Sequence, residues 1–227
     1  MSIPIIAIDG PSGSGKGTIA RRLAQTLGFH RLDSGALYRC VGLSALAQGL
    51  SLSDGLALER LISELRISFK EDSEGNEIIE INGQDVTRTL RTEECGAAAS
   101  SVAVLPAVRQ ALLAWQRAYV RAPGLVADGR DMGTVVFPEA VLKVFLTASA
   151  EARAQRRYKQ LKDKGLDVKV ADLSRDIAER DARDANRSLA PLKPAASAMI
   201  LDSTQLDIGE VYSQVLEWAL QSLPRTD

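Results

Sequence analysis

Residues 3–18 read Ile-Pro-Ile-Ile-Ala-Ile-Asp-Gly-Pro-Ser-Gly-Ser-Gly-Lys-Gly-Thr, and this stretch decides the fold. It is a short apolar strand, then a glycine-rich loop, then the start of a helical pattern over 17–27. The glycines let the backbone turn tightly, so that successive amide N–H groups face inward. The N-terminus of the following helix adds its positive dipole end. We therefore predict a loop that holds the phosphates of a nucleotide such as ATP, with Lys16 reaching the outer ones. The predicted loop consists of Gly10, Pro11, Ser12, Gly13, Ser14, Gly15, Lys16, Gly17 and Thr18.

The loop departs from the usual phosphate-binding motif at one position. That motif has Ser or Thr directly after the Lys, where the hydroxyl binds Mg²⁺. Here the position is Gly17, and Thr18 follows it. We predict that Thr18 contributes to the metal site, and the departure leaves the other protein ligands open.

Short apolar segments alternate with amphipathic helical segments along the rest of the chain. This alternation predicts a parallel sheet with helices on both faces, the three-layer α/β fold of the P-loop NTPase type. The length of 227 residues suits one such domain carrying insertions. The predicted strands are 3–8, 29–33, 124–128, 142–146 and 198–202, of which 29–33 has the weakest pattern. The predicted helices are 17–27, 36–47, 150–164, 172–186 and 208–223.

The segment 66–88 breaks this rhythm. Residues 66–70 and 77–82 alternate between apolar and polar, the polar stretch 71–76 separates them, and Asn82-Gly83 signals a tight turn. We predict a small antiparallel meander inserted into the α/β plan, which should carry substrate contacts or a closing motion.

Two further places have the character of anion or metal sites. Asp33 or Ser34 suits the cap of a helix starting near 36, with Arg39 in its first turns, although a capped helix with one surface Arg fits equally well. The strand 124–128 ends in Asp128-Gly129-Arg130, and strands of a parallel sheet present ligand sites at their carboxyl ends. We expect Asp128 to hold Mg²⁺, directly or through water, and Arg130 to hold phosphate. A structural Asp–Arg turn is the alternative.

The helices of 150–187 are rich in arginine. Arg180, Asp184 and Arg187 are four and three residues apart and so share one helix face. Exposed helical ion pairs contribute only about 0.3–0.5 kcal/mol each and require no arginine. A donor triphosphate that faces an acceptor phosphate does require several cations. We predict that these helices close over the phosphates as a lid, with Arg157 among the residues that contact ATP.

Composition limits the remaining possibilities. A net charge of −1 and an aromatic content of 4% disfavour nucleic-acid partners. No apolar run approaches the length of a membrane span. The two cysteines are far apart and fit no metal or disulfide spacing, which favours a cytoplasmic protein with reduced thiols.

Four motifs carry a resemblance to a known family. GPSGSGKGT, LDSGALYR, DGRDMGTVVFP and ERDARDANR follow one another in that order and at the expected distances. Together they resemble the bacterial cytidylate kinases, a branch of the nucleoside monophosphate kinases, over essentially the whole chain. The resemblance implies a five-stranded parallel sheet, a monophosphate-binding region at about 36–110 that includes the meander at 66–88, and a lid at about 150–187. It also implies a monomer that transfers phosphate from ATP to CMP or dCMP with Mg²⁺.

The resemblance also implies roles for individual residues. Arg39, Arg130 and Arg187 would bind the acceptor phosphate, and Arg180 with Asp184 the sugar. Ser34, Ser100, Arg109 and Asp131 would recognise cytosine. An Arg donating to N3 and O2 and an Asp accepting from the amino group would match that base and mispair with uracil.

Two rival functions follow from the same motifs. A small-molecule kinase such as a shikimate-type kinase needs a carboxylate base for its hydroxyl acceptor, and a nucleotide switch would hydrolyse ATP without an acceptor. A monophosphate acceptor needs no general base, because its second pKa is about 6. With a single histidine, His30, which we interpret as structural, the chain fits catalysis by Lys16, Arg130 and Arg187 through positioning and charge.

Overall fold

The computed structural model describes residues 3–71, 77–163 and 168–224. Its elements in chain order are β1 Ile5–Asp9, α1 Lys16–Leu27, β2 His30–Asp33, α2 Ser34–Ala47, α3 Gly55–Glu64, β3 Ile67–Glu71, β4 Glu77–Ile81, β5 Gln84–Asp85, α4 Glu93–Val102, α5 Pro106–Ala118, β6 Leu125–Gly129, β7 Leu142–Thr147, α6 Ala150–Lys162, α7 Val170–Ala185, β8 Met199–Asp202 and α8 Ile208–Ser222. A 3₁₀ turn at Thr89–Arg91 and a π-helical turn at Met132–Val136 complete them.

The chain forms two compact units. The first contains the residues up to Asp33 and those from Tyr119 onward, and the second contains Ser34–Ala118. The first unit is built on a five-stranded sheet in the order β2-β6-β1-β7-β8, with parallel pairing throughout. The predicted five-stranded parallel sheet is therefore confirmed, including the strand that had the weakest pattern.

The core of the first unit lies between the sheet and two helices. β1 is buried at every position, as expected of a central strand covered on both faces. Ile19 and Leu23 of α1 and Val211 and Val215 of α8 pack against the strands in one cluster. This packing fixes α1 beneath the carboxyl end of β1, and so holds the loop between them in place.

The second unit combines helices with the predicted meander. β3 pairs antiparallel with β4, and β4 pairs antiparallel with β5 across Asn82-Gly83, which confirms the small antiparallel sheet. Most of the predicted polar turn 71–76 lies outside the described residues. Trp115 of α5 meets Phe69 of β3 edge to face at 6.0 Å between ring centroids. Helices α3, α4 and α5 were not predicted, and α2 begins at Ser34, two residues earlier than expected.

In the described part of the chain, no single helix has the length and apolar character to cross a membrane. Helices α4 and α5 meet that test only when counted as one pair, with a bend of 101° between them.

Candidate active site: a phosphate loop bordered by arginines

The loop from Gly10 to Gly15 connects β1 to the first turn of α1. Gly10 is required there, because a Cβ at this position would lie 2.0 Å from the carbonyl oxygen of Leu146. Gly15 precedes α1 with φ of 94° and gives no side-chain cap, so no capping side chain competes with an external acceptor at the start of α1. Lys16 Nζ donates to the carbonyl of Pro11 at 3.1 Å, which folds the loop around itself. The arrangement is that of an anion site at a helix N-terminus.

Lys16 is buried near charged side chains of both signs. The pKa of its ammonium group is lowered to about 7, first by burial and then by the nearby guanidinium groups of Arg130 and Arg180, while Asp128 and Asp33 act in the opposite direction. The lysine is therefore close enough to two arginines for their charges to affect it. Phosphate groups would relieve this repulsion, and they would favour the charged form of the lysine.

Arg130 and Arg187 converge on one carboxylate. Arg130 Nε donates to Asp184 Oδ2 at 2.6 Å, and Arg187 Nη2 donates to Asp184 Oδ1. Asp184 is 1% exposed, and burial alone would raise its pKa, yet the charges of the two arginines hold that pKa below its ordinary value. Asp184 thus fixes two guanidinium groups side by side, and such a pair suits a phosphate group.

Asp9, which the sequence analysis did not identify, supports the loop that carries Arg130 and Asp131. Its two carboxylate oxygens each accept a backbone N–H, from Met132 and from Gly133, at 2.8 Å. Burial raises the pKa of Asp9 to about 6, against the effect of these hydrogen bonds. The signal was present, because an acid directly after a run of apolar strand residues needs a partner when buried.

Arg153 joins the phosphate loop to the predicted lid. Its Nη1 donates to the carbonyl of Ser12 at 3.1 Å, and its Nη2 pairs with Asp181 of α7 at 2.5 Å. Its neighbour Arg156 donates to the Oγ of Ser203 at 3.1 Å. These two arginines of α6 are therefore engaged with the chain itself. Arg157 Nη1 lies 3.4 Å from Gln160 Oε1, and its contact with ATP stays a prediction.

The second unit contains the other residues that were predicted to bind the acceptor. Arg39 Nη1 donates to the carbonyls of Leu90 at 2.6 Å and Thr92 at 3.1 Å, so its guanidinium is held by backbone. Arg109 donates to the carbonyl of Ala103 at 3.1 Å. The hydroxyl of Ser100 is buried, and among the described residues it meets no hydrogen-bond partner. A buried hydroxyl without a partner is costly, which points to an external partner such as a ligand.

Comparison with known proteins identifies the family. The family model described as cytidylate kinase matches residues 6–221. The chain is 56% identical to the cytidylate kinase of Aeromonas hydrophila subsp. hydrophila over 97% of this chain and 95% of that protein. It is 54% identical to that of Shewanella frigidimarina over 98% of each. This chain belongs to the cytidylate kinase family.

Among solved structures, an uncharacterized protein from Eubacterium ventriosum matches at 12% identity with a TM-score of 0.51, covering 97% of this chain and 99% of that one. A likeness at that identity concerns the fold alone. The family of the chain therefore rests on the sequence matches, and its fold on the strand order.

Within this cytidylate kinase family member, the predicted residues divide between the two units. Lys16, Arg130 and Arg180 are electrostatic neighbours, and Arg130 shares Asp184 with Arg187. These belong to the first unit, whereas Ser34, Arg39, Ser100 and Arg109 belong to the second. Their joint action on one substrate stays a prediction.

The donor set at the end of β6 fits a magnesium ion that is held partly by nucleotide phosphates and water. Such a site needs one or two carboxylates rather than a full protein cage. Asp128 lies against the start of α1, where a Cβ on Gly17 would be 3.6 Å from its Oδ2. Across the described ranges, no group of three or more His, Cys, Asp or Glu side chains could hold a metal. Asp128 and Thr18 therefore remain the residues we expect to hold magnesium, with nucleotide phosphate and water as the other ligands.

Proposed function

We propose that this protein transfers the γ-phosphoryl group of ATP to CMP or dCMP, giving ADP and CDP or dCDP. The observation that carries the proposal is the position of Lys16, in the phosphate loop and within the electrostatic reach of Arg130 and Arg180. A donor cradle and an arginine cluster thus occur together in one compact unit. Family membership supports the choice of cytidine nucleotides as acceptors.

The donor would occupy the loop of residues 10–18. The inward amide groups and the start of α1 would bind the β-phosphate, and Lys16 would move from the Pro11 carbonyl to the β- and γ-phosphates. Magnesium, when bound, neutralises charge on the β- and γ-phosphate oxygens. Asp128 and Thr18 would orient it.

The acceptor phosphate would lie against Arg130 and Arg187. Both guanidinium groups are already oriented by Asp184, so little side-chain entropy would be lost when the phosphate binds. Arg39 of α2 would add a third cation. Because the acceptor oxygen is ionised near neutral pH, catalysis would consist of in-line positioning and charge stabilisation, without a general base.

Cytosine recognition would fall to Ser100, Arg109, Asp131 and Ser34, and sugar contacts to Arg180 with Asp184. The unsatisfied hydroxyl of Ser100 supports its part in this. Arg109 lies 5.8 Å from the ring centroid of Tyr38, which gives its guanidinium a flat apolar support. The resemblance further implies that the enzyme acts as a monomer, which sedimentation analysis of the purified chain would test, and the cysteine pattern favours the cytoplasm.

A substrate panel tests the proposal. ADP release is measured with ATP, Mg²⁺ and one of CMP, dCMP, UMP, AMP, GMP or shikimate. We expect turnover with CMP and dCMP and far less with UMP, because a carbonyl would face the carboxylate that accepts the cytosine amino group. Turnover with shikimate alone, or ADP release that is independent of any acceptor, would overturn the assignment.

A further inference from the structure

Arg31, on the edge strand β2, lies at the metal end of the candidate site, and the sequence motifs give it no role. Arg31 and Asp33 are two residues apart and so project to the same side of β2. The parallel register with β6 places Asp33 next to Asp128. Two like charges at neighbouring strand positions repel each other, so the pair needs a cation.

Arg31 supplies that cation. Its Nε and Nη2 lie 3.3 Å and 3.2 Å from Asp128 Oδ1, and its Nη2 also lies 3.2 Å from Asp33 Oδ2. The side chain of Arg31 is 15% exposed and that of Asp128 is 5% exposed, so solvent screens this pair weakly, whereas Asp33 is 28% exposed. One guanidinium group therefore bridges both carboxylates.

Gly17 of the phosphate loop lies beside this ion pair. A Cβ at that position would lie 3.5 Å from Arg31 Nη2 and 3.6 Å from Asp128 Oδ2. Where the usual loop presents a hydroxyl for Mg²⁺, this chain has a glycine, with a guanidinium group and a carboxylate nearby. The positive charge of Arg31 stands beside the Asp128 oxygens that would face a divalent ion.

We propose that Arg31 is a positioning residue that serves as a built-in counter-cation to Asp33 and Asp128. It holds the two carboxylates in place without metal, and it keeps free divalent cations from binding to them. The enzyme then takes up its metal together with a nucleotide, whose phosphates supply the additional negative charge. This inference rests on the proposed function only for the kind of metal involved.

The experiment measures binding of Mn²⁺ to the full chain without nucleotide, by the loss of the free Mn²⁺ signal in electron paramagnetic resonance. The variant Arg31→Met keeps the aliphatic stem and removes the charge. Arg21→Met is the matched control, because Arg21 is exposed on α1 of the same unit. We expect Arg31→Met to bind one Mn²⁺ at least about tenfold more tightly than the wild type, because a nearby positive charge is gone. Arg21→Met should bind Mn²⁺ as the wild type does.

A second substitution locates the site. Adding Asp128→Asn to Arg31→Met should abolish the gain. If Arg31→Met does not fold, Arg31→Gln replaces it, because the amide can still donate to a carboxylate without carrying a charge. A folded Arg31 variant without tighter Mn²⁺ binding would mean that Arg31 is only a structural ion-pair partner. Tight Mn²⁺ binding by the wild type that Asp128→Asn removes would also overturn the proposal, whatever the variants do. Neither result depends on kinase activity, so failure here leaves the proposed function untouched.

Discussion

Replacing Asp184 by Asn should destabilise the protein strongly, although the side chain changes by only one atom. The carboxylate is 1% exposed and pairs with Arg130 and Arg187, whose side chains are 13% and 6% exposed. The amide keeps one acceptor oxygen instead of two and carries no charge, so it cannot neutralise two guanidinium groups. Removing one partner from a buried ion pair costs about 3–5 kcal/mol. At roughly 2–4 °C per kcal/mol for a chain of this size, Tm should fall by about 6–20 °C.

Urea unfolding and thermal melts of the wild type, Asp184→Asn and Asp176→Asn provide the measurement. Asp176 is exposed on the same helix, so its replacement removes the same charge without the buried pairs, and we expect a change within about 0.5 kcal/mol. The arginines hold the pKa of Asp184 below its ordinary value, so its contribution is present above that value and is lost as pH falls through the folded pKa. The difference between wild type and Asp184→Asn should therefore be constant from pH 5 to pH 8.

Ligand rescue provides a further check on Asp184. CMP brings an anion to the two guanidinium groups that have lost the carboxylate, so it should raise the Tm of Asp184→Asn more than that of the wild type. If Asp184→Asn has a free energy of unfolding within about 1 kcal/mol of that of Asp176→Asn, the two arginines do not depend on the carboxylate, contrary to the expectation.

Two further predictions concern Lys16 and turnover, and Asp9 and the pH dependence of stability. Lys16→Ala should lower turnover with CMP by about 10²–10³-fold or more, because one charge donor to the transferred phosphate is lost, while the exposed control Lys193→Ala should leave it unchanged. Near-normal turnover of a folded Lys16→Ala would contradict the assignment of the loop. Asp9, with its pKa raised from 3.8 to about 6, binds more protons in the folded state than in the unfolded state between those values. Wild-type stability relative to Asp9→Asn should therefore fall by about 2–3 kcal/mol between pH 4 and pH 7, and urea unfolding curves that keep a constant difference would contradict it.

The sequence was sufficient for the sheet because its strands are short apolar runs that follow turn signals. It was insufficient for α4, whose interior is Gly96-Ala97-Ala98-Ala99 with little apolar contrast. That helix is buried through close approach, since a Cβ on Gly42 of α2 would lie 3.0 Å from Ala98. Close packing by small residues leaves no strong 3.6-residue pattern to detect. Helix α5 did carry usable signals, among them Pro106 at its first position.

In the candidate site, residues on the loop and at strand ends were predictable, whereas their partners were not. Lys16, Asp128 and Arg130 follow from a rule about the carboxyl ends of parallel strands. The pairing of Arg31 with Asp128 depends instead on β2 lying next to β6, a neighbour 97 residues away in sequence. Likewise, the link from Arg153 to Ser12 spans 141 residues. Such contacts follow from strand order and register, which local patterns do not encode.

The charges of the first unit imply that nucleotide binding is an exchange of anions. Lys16 and the arginines near it repel one another, and the folded chain offsets this with carboxylates, namely Asp184 between Arg130 and Arg187 and Asp128 near Lys16. A phosphate that binds these cations neutralises charge that the carboxylates already neutralise. Part of its Coulomb attraction to the cations therefore replaces the attraction between the cations and the carboxylates. The net affinity for each nucleotide should therefore be moderate, while the cations are held in place before substrate arrives. Because oriented charges need no rearrangement as charge develops in the transition state, this arrangement favours turnover over tight binding.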